Sequence, residues 1–417
     1  MRALVALALL VCAVPAFSQT LAITNARLLD GDRDETGVTI VVQGGTIASV
    51  ARGGAVPQGA PVIDAGGRPV TAPLSAAATQ IGVIGMGGAT NTEDSAATST
   101  VLGGAFDISR ALDPDALTIQ EARAQGVGKA MVFPTQRSGA FGGAGALVDL
   151  DPAGPLLKER QAALFATSSG STSGGSRAAA WSLIRNARAE ARRPADPANR
   201  PRDDLLGPAE IEALRPVLAR RIPLAVAANR TADIREAIAL SRDFGIRVVV
   251  IGGAEAWRLA EQLAQAQVSV VLDPLDELPF SYESVGTRRD NAALLAKAGV
   301  SMAFMVSGQT IYLSYNVGAG LREGAGIAAA NGLSRGDALR AITSGMARVW
   351  TGKASAGIAA GAPADLVIWD GDPLEPSSAP ARVILGGKPV SPVTRQTLLR
   401  DRYHPRRSDD PMPPAYR

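Results

Sequence analysis

The stretch IRVVVIGGAEAWRLAEQLAQAQVSVVLD, residues 246–273, decides the fold. Ile246–Ile251 is a short apolar run, largely β-branched, and Gly252-Gly253 ends it. Ala256–Gln265 then places apolar side chains at helical spacing, and Val268–Leu272 is a second buried strand that stops at Asp273-Pro274. A strand, a helix and a strand in so few residues read as a βαβ unit with parallel strands. Working outward, the alternation repeats. Gly128–Phe133, Pro223–Ala227 and Val300–Val306 read as strands. Ala209–Ala219, Ala232–Phe244, Asn291–Ala298 and Ser334–Thr343 read as helices. The spacing predicts a parallel α/β core, open or closed into a barrel.

The two ends of the chain follow a different period. Leu21, Ile23 and Ala26 precede the turn Asp30-Gly31, and Val38, Ile40 and Val42 precede Gly44-Gly45, so residues 21–50 read as short strands. Val62-Ile63-Asp64 and Pro69-Val70-Thr71 fit a strand pair joined by Gly66-Gly67. Asp365–Trp369 and Ala381–Leu385 return to strands near the other end. An N-terminal piece of about 50 residues is small for a self-standing domain, so the two ends are expected to pair into one. The expected division is 19–72 with 355–395 as this composite β domain, 73–354 as the barrel and 396–417 as a tail. Thr167–Ser176 is Ser/Gly-rich and reads as a flexible loop. Arg192–Asp204, with Pro194, Pro197 and Pro201, reads as a connector, and the tail from Asp401 as frayed.

Composition narrows the chemistry. Hydrophobic residues make up 46% of the 417 and charged residues 19%, enough to bury a large core. Met1-Arg2, the apolar Ala3–Val14 and Ala16-Phe17-Ser18 read as a cleaved export signal over residues 1–18. Val11 stands where a lipoprotein signal wants a small residue before Cys12. No later segment has the apolar length of a membrane span, so a periplasmic or secreted protein without a membrane anchor is expected. Cys12 is the one Cys and His404 the one His. With Cys12 in the leader, disulfides, thiolate zinc, a Cys nucleophile and a His-rich metal site are excluded. A Ser-His-Asp triad would need His404, in the tail. The net charge of +3, with no basic stripe carrying interleaved aromatics, gives nucleic-acid binding no support.

Three stretches carry a resemblance. They are Ile23-x-Asn25-Ala26 with Asp30-Gly31 and Gly44-Gly45-x-Ile47; Ile63-Asp64-Ala65-Gly66-Gly67 leading to Val70-Thr71; and Gly361-x-x-Ala364-Asp365-Leu366-Val367-Ile368-Trp369-Asp370-Gly371-Asp372-Pro373. Gly252–Trp257 and Ala341-Ile342-Thr343 add to them. In order and spacing the chain resembles the amidohydrolase superfamily, in its imidazolonepropionase-like group. The resemblance implies a (β/α)8 TIM-type barrel with a small β-sandwich built from both chain ends. It also implies descent from metal-dependent hydrolases of non-peptide C–N bonds in amides and cyclic amides. In those enzymes one or two divalent metals such as zinc, held by His and Asp at the barrel mouth, activate a water and polarise the carbonyl. The family further suggests dimers.

The ligand positions implied by the resemblance hold other residues. The His-x-His of the first barrel strand falls on Ala78 and Gln80. The His of strand five falls on Ala227 and that of strand six on Gly252. The Asp of strand eight falls on Ser307. Methyl groups, a glycine, an amide and a hydroxyl do not hold zinc tightly, so no metal cofactor is expected. Asp273 and Asp276, after an apolar strand, are the weak catalytic candidates; the competing reading makes them turn residues. Glu93-Asp94 and Asp113-x-Asp115 read as solvated loop or cap positions, with acid-base or cation-binding work as the rival. Gly139–Gly145 lacks the Lys-Ser/Thr of a phosphate loop and reads as a loop at a pocket edge. Ser168–Ser173 has hydroxyls without a base. Arg185–Arg193, with Glu190, reads as a solvated helix face carrying ion pairs along the helix, with a partner-binding face as the rival.

The sequence therefore predicts an exported amidohydrolase-fold protein that is a non-catalytic homologue. It would bind a small molecule in the old pocket, as a homodimer or paired with an intact amidohydrolase. The alternative is an active, divergent amidohydrolase using carboxylates at the barrel mouth, and a third reading is solute binding.

Overall fold

Two hydrogen-bonded sheets of eight strands each organise the chain in this computed structural model. The structure describes residues 20–85, 93–97, 102–173, 175–193, 206–276, 278–279, 281–307 and 315–403. The leader at 1–18, His404 and most of the 192–204 connector lie outside these residues.

The first sheet begins with β1 (Thr20–Asp30), β2 (Arg33–Gln43), β3 (Thr46–Arg52), β4 (Val62–Asp64) and β5 (Pro69–Thr71). The strand pair expected for β4 and β5 does not form. Both lie parallel on β1, with Ile63 opposite Ile23 and Val70 opposite Leu28. A break in β1 explains this. Asn25 adopts φ 52° between the two pairing stretches, and its Nδ2 donates to Asp64 Oδ1 at 3.0 Å. Its carbonyl accepts from Gly67 N at 2.7 Å, handing β1 from one short strand to the next.

The barrel sheet runs β6 (Leu74–Thr79), β7 (Val127–Val132), β8 (Phe141–Asp149), β9 (Leu157–Thr167), β10 (Leu224–Ala228), β11 (Val248–Gly252), β12 (Ser269–Leu272) and β13 (Met302–Phe304). The chain then returns to the first sheet with β14 (Leu366–Trp369), β15 (Pro380–Leu385) and β16 (Lys388–Pro389). There β14 pairs antiparallel with β5, placing Val367 opposite Thr71. Both chain ends thus share one sheet, whose core includes Ile23, Ile40, Val70, Ile368 and Ile384.

The helices are α1 (Leu117–Ala124), α2 (Arg177–Arg192), α3 (Pro208–Leu218), α4 (Thr231–Phe244), α5 (Ala260–Gln265), α6 (Asn291–Lys297), α7 (Val317–Ala330), α8 (Arg335–Ile342), α9 (Gly345–Thr351) and α10 (Arg395–Tyr403). Alternation along the barrel strands sorts their side chains. Val226, Val250, Val270 and Phe304 pack outward in the cluster shared with the helices. Ala225, Val249, Val271 and Ala303 point inward. Helix α9 adds Met346, Val349 and Trp350 to the interior. Among the described residues no ladder joins β13 to β6, and α7, α8 and α9 lie against both strands at that seam.

Three expectations are corrected. Gly139–Gly145 is not a pocket-edge loop, because Phe141 opens β8, which runs antiparallel to both β7 and β9. Its glycines answer to packing. A Cβ on Gly143 would lie 2.5 Å from Phe106 O, and one on Gly145 would lie 2.5 Å from the Phe165 ring. The Thr167–Ser176 stretch is fastened by its hydroxyls: Ser168 Oγ donates to Ala227 O at 2.9 Å, and Ser173 Oγ to Gly139 O at 2.7 Å. On α2, Arg185 reaches across to Glu236 and Asp243 of α4. Glu190 is buried and accepts from Leu206 N at 2.9 Å, so this face is packed instead of solvated. Of the tail from Asp401, residues 401–403 close α10, which Glu121 ties to the barrel through Gln396 N at 3.2 Å, and the rest lies outside the described residues. No helix among the described residues is long and apolar enough to cross a membrane.

Candidate functional site at the barrel mouth

The carboxyl ends of the barrel strands gather the residues singled out in the sequence. Ala78, one residue before β6 ends, is fully buried in the interior apolar cluster with Phe165, Ile251 and Met305. Gln80 follows it, buried, and its Nε2 donates to Thr135 Oγ1 beyond β7. The Thr135 hydroxyl lies 3.4 Å from Ser95 Oγ. On β10, Ala227 is exposed while its neighbours are buried. Gly252 ends β11 at φ 91°, and a Cβ there would lie 2.3 Å from Asn229 Oδ1. That oxygen accepts from Ala254 N at 3.3 Å, so the Asn229 side chain occupies the space that a larger residue at 252 would need.

Asp273, just past β12, is a carboxylate buried at this end of the strands. Its Oδ2 accepts from both Ser307 N and Ser307 Oγ at 2.6 Å, and its Oδ1 from Leu275 N at 2.9 Å. Burial pushes the carboxyl up, and these three hydrogen bonds oppose the shift without cancelling it. Asp276 is raised too, first by burial and then by the charge of Asp273. The structure therefore brings Asp273, Asp276 and Ser307 into one neighbourhood. A carboxylate with a raised pKa and a hydroxyl hydrogen-bonded to it can take up or give a proton at Oδ2.

The sign of its pH dependence follows. An unfolded Asp titrates at about 3.9, and the folded carboxyl titrates higher. Its favourable contribution is fully present below the unfolded value and is lost as pH rises through the folded one. Melting curves across this range should show Asp273→Asn declining less with rising pH than the parent. Parallel pH profiles would mean that the buried carboxyl does not titrate as argued.

The remaining acidic candidates stay apart from Asp273. Glu93 is exposed and faces Arg137 at 3.6 Å, and Asp94 N donates to Val83 O. Asp113 Oδ1 accepts from Asp115 N at 2.9 Å, a turn-forming bond within the loop. Among the described residues no three His, Cys, Asp or Glu side chains gather closely enough to hold a metal ion. Two participants escaped the sequence reading, Asn229 and Thr135. Each is a polar residue just beyond an apolar strand, and that position was the available signal.

The amidohydrolase family model matches residues 230–392, from the start of α4 to the return of the chain into the first sheet. An amidohydrolase from Thermotoga maritima MSB8 superposes with a TM-score of 0.77 at 22% identity, over 89% of this chain and 99% of that one. A 5-methylcytosine deaminase from Klebsiella pneumoniae gives 0.56 at 15% identity, over 90% and 97%. An N-isopropylammelide isopropylaminohydrolase from Burkholderia multivorans ATCC 17616 gives 0.53 at 16%, over 89% and 98%. Among curated proteins, none matches the chain by sequence. The family match thus runs through β11 to β15, and the fold of the Thermotoga maritima amidohydrolase is shared over 89% of the chain.

Proposed function

We propose that this protein is an exported, non-catalytic amidohydrolase homologue, akin to the imidazolonepropionase-like group, that binds a small ligand or a partner subunit. The observation that carries the reading is the chemistry at the barrel mouth. Where the superfamily places metal-ligating His and Asp, this chain has Ala78, Gln80, Ala227, Gly252 and Ser307. Ala78 sits among apolar side chains, Gln80 is engaged with Thr135, and Gly252 faces Asn229. Such a set offers a divalent cation neither charge nor imidazole, so these residues do not fit the metal, and no step is routed through it. The barrel tolerates the change because a buried polar side chain without its metal would be an unpaired group. In this reading the occupant is a small molecule or an intact amidohydrolase beside which this chain assembles.

The deciding experiment is elemental analysis of the untagged mature protein purified without chelator. Less than about a tenth of an equivalent of zinc, iron or manganese is expected, with no change in melting temperature on adding chelator. A near-stoichiometric metal, or a chelator-induced loss of stability, would overturn the reading.

One observation favours a second reading: Asp273 is buried, raised in pKa and bonded to the Ser307 hydroxyl. It would act as a general base for an amide or lactam substrate without metal. Turnover abolished by Asp273→Ala, with the fold retained, would support it over the first.

A further inference from the structure

The amino-terminal face of the barrel, opposite the mouth, holds a cavity of about 740 Å³. It opens where β11 and β12 begin and where α4 and α9 end. Arg220, Arg242, Arg247 and Arg348 line it, together with the hydroxyls of Ser269 and Ser301. Among the described residues no Asp or Glu lines the cavity, and none of the four arginines has an ion pair.

Several arginines elsewhere in the fold have carboxylate partners. Arg185, Arg288 and Arg340 each grip a carboxylate. The helix ends around the cavity account for part of the positive charge. Each contributes roughly half a negative charge, so the carboxyl ends of α3, α4, α5 and α9 offset about two of the four positive charges. About two remain. Arg247 carries the strain of that surplus. Burial, and then the charge of Arg220, hold it below its ordinary value, with the charge of Glu159 opposing them only in part. Its Nη2 donates to Trp350 O at 3.2 Å, while its Nε is buried without an acceptor. The backbone points the same way. Arg220 and Gln267, both in the lining, hold φ 59° and 53°, a region that disfavours side-chain-bearing residues. Glycine would avoid that at a helix end, but only a long polar side chain reaches the cavity.

We propose that this cavity binds a small polyanion carrying two or more phosphate or carboxylate groups. Guanidinium groups pair with both in bidentate geometry, and the volume lies within the range of small-molecule sites. The site is independent of the barrel mouth and of whatever that mouth does.

Isothermal titration calorimetry on the full mature protein tests it, with tripolyphosphate and citrate as probes and potassium chloride at matched ionic strength as the blank. Saturable binding of one equivalent of either probe is expected. Binding of tripolyphosphate alone assigns the site to phosphates, and binding of citrate alone assigns it to carboxylates. Arg242 and Arg348 are exposed, so the double variant Arg242→Gln/Arg348→Gln should fold with an unchanged melting temperature and bind at least tenfold more weakly. No heat above the chloride blank, or equal binding by parent and double variant, would overturn the proposal.

Discussion

Replacing Trp350 by alanine is expected to lower stability by about 4 kcal/mol, seen as a large drop in the urea midpoint. Trp350 is 2% exposed and belongs to helix α9, yet it fills the inside of the barrel. Its ring lies 5.6 Å from that of Phe165, which is also 5.6 Å from Phe133. Its Nε1 donates to Ala77 O at 2.8 Å, next to Ala78. Truncation would open a cavity too large to collapse and strand a buried carbonyl. Trp350→Phe separates the two effects. It keeps most of the packing and loses the hydrogen bond, so about 1–2 kcal/mol is expected. An alanine variant as stable as the parent would mean that the barrel interior is not organised around this ring.

The second large effect concerns a His placed at position 252, where the family resemblance implies a metal ligand. Gly252→His should destabilise the protein by about 3 kcal/mol and bring no zinc with it. Position 252 has φ 91°, which strains any side-chain-bearing residue by about 1–3 kcal/mol. The new Cβ would displace Asn229 and break its bond to Ala254 N, worth about another 1 kcal/mol. Gly252→Ala meets the same backbone and the same neighbour, so it should lose nearly as much. Zinc binding by the His variant alone, at undiminished stability, would show that the mouth is still set for a metal.

Legibility in the sequence followed the kind of signal each element carries. Strands β10 to β13 were readable because each is a continuous apolar run ending at a Gly, a Pro or a polar residue, as at Ile251-Gly252 and Leu272-Asp273. Strand β8 was not. Its glycines read as a loop, whereas Gly143 and Gly145 are small because Phe106 and Phe165 fill the space beside them. Local patterns also misjudged Glu190, which is buried and accepts from Leu206 N, 16 residues further on. At the mouth, Asp273 was readable from its place after an apolar strand, but its bond to Ser307 depends on the adjacency of β12 and β13. The arginine-lined cavity left no local trace at all. Its members are scattered from Arg220 to Arg348, and only the circular order of the strands makes them neighbours.

The shared sheet of the two chain ends has a consequence for biosynthesis. Strand β5 lies between β1, made early, and β14, which follows only after the whole barrel has been synthesised. Roughly 300 residues separate the two partners, and a ribosome adding about 5–20 residues per second needs about 15–60 s to produce them. Throughout that interval one edge of β5 has no strand to pair with, and Ile23, Ile40 and Val70 lack the Ile368 and Ile384 side of their core. A nascent chain in that condition is a substrate for chaperones until β14 and β15 are available to close the sheet.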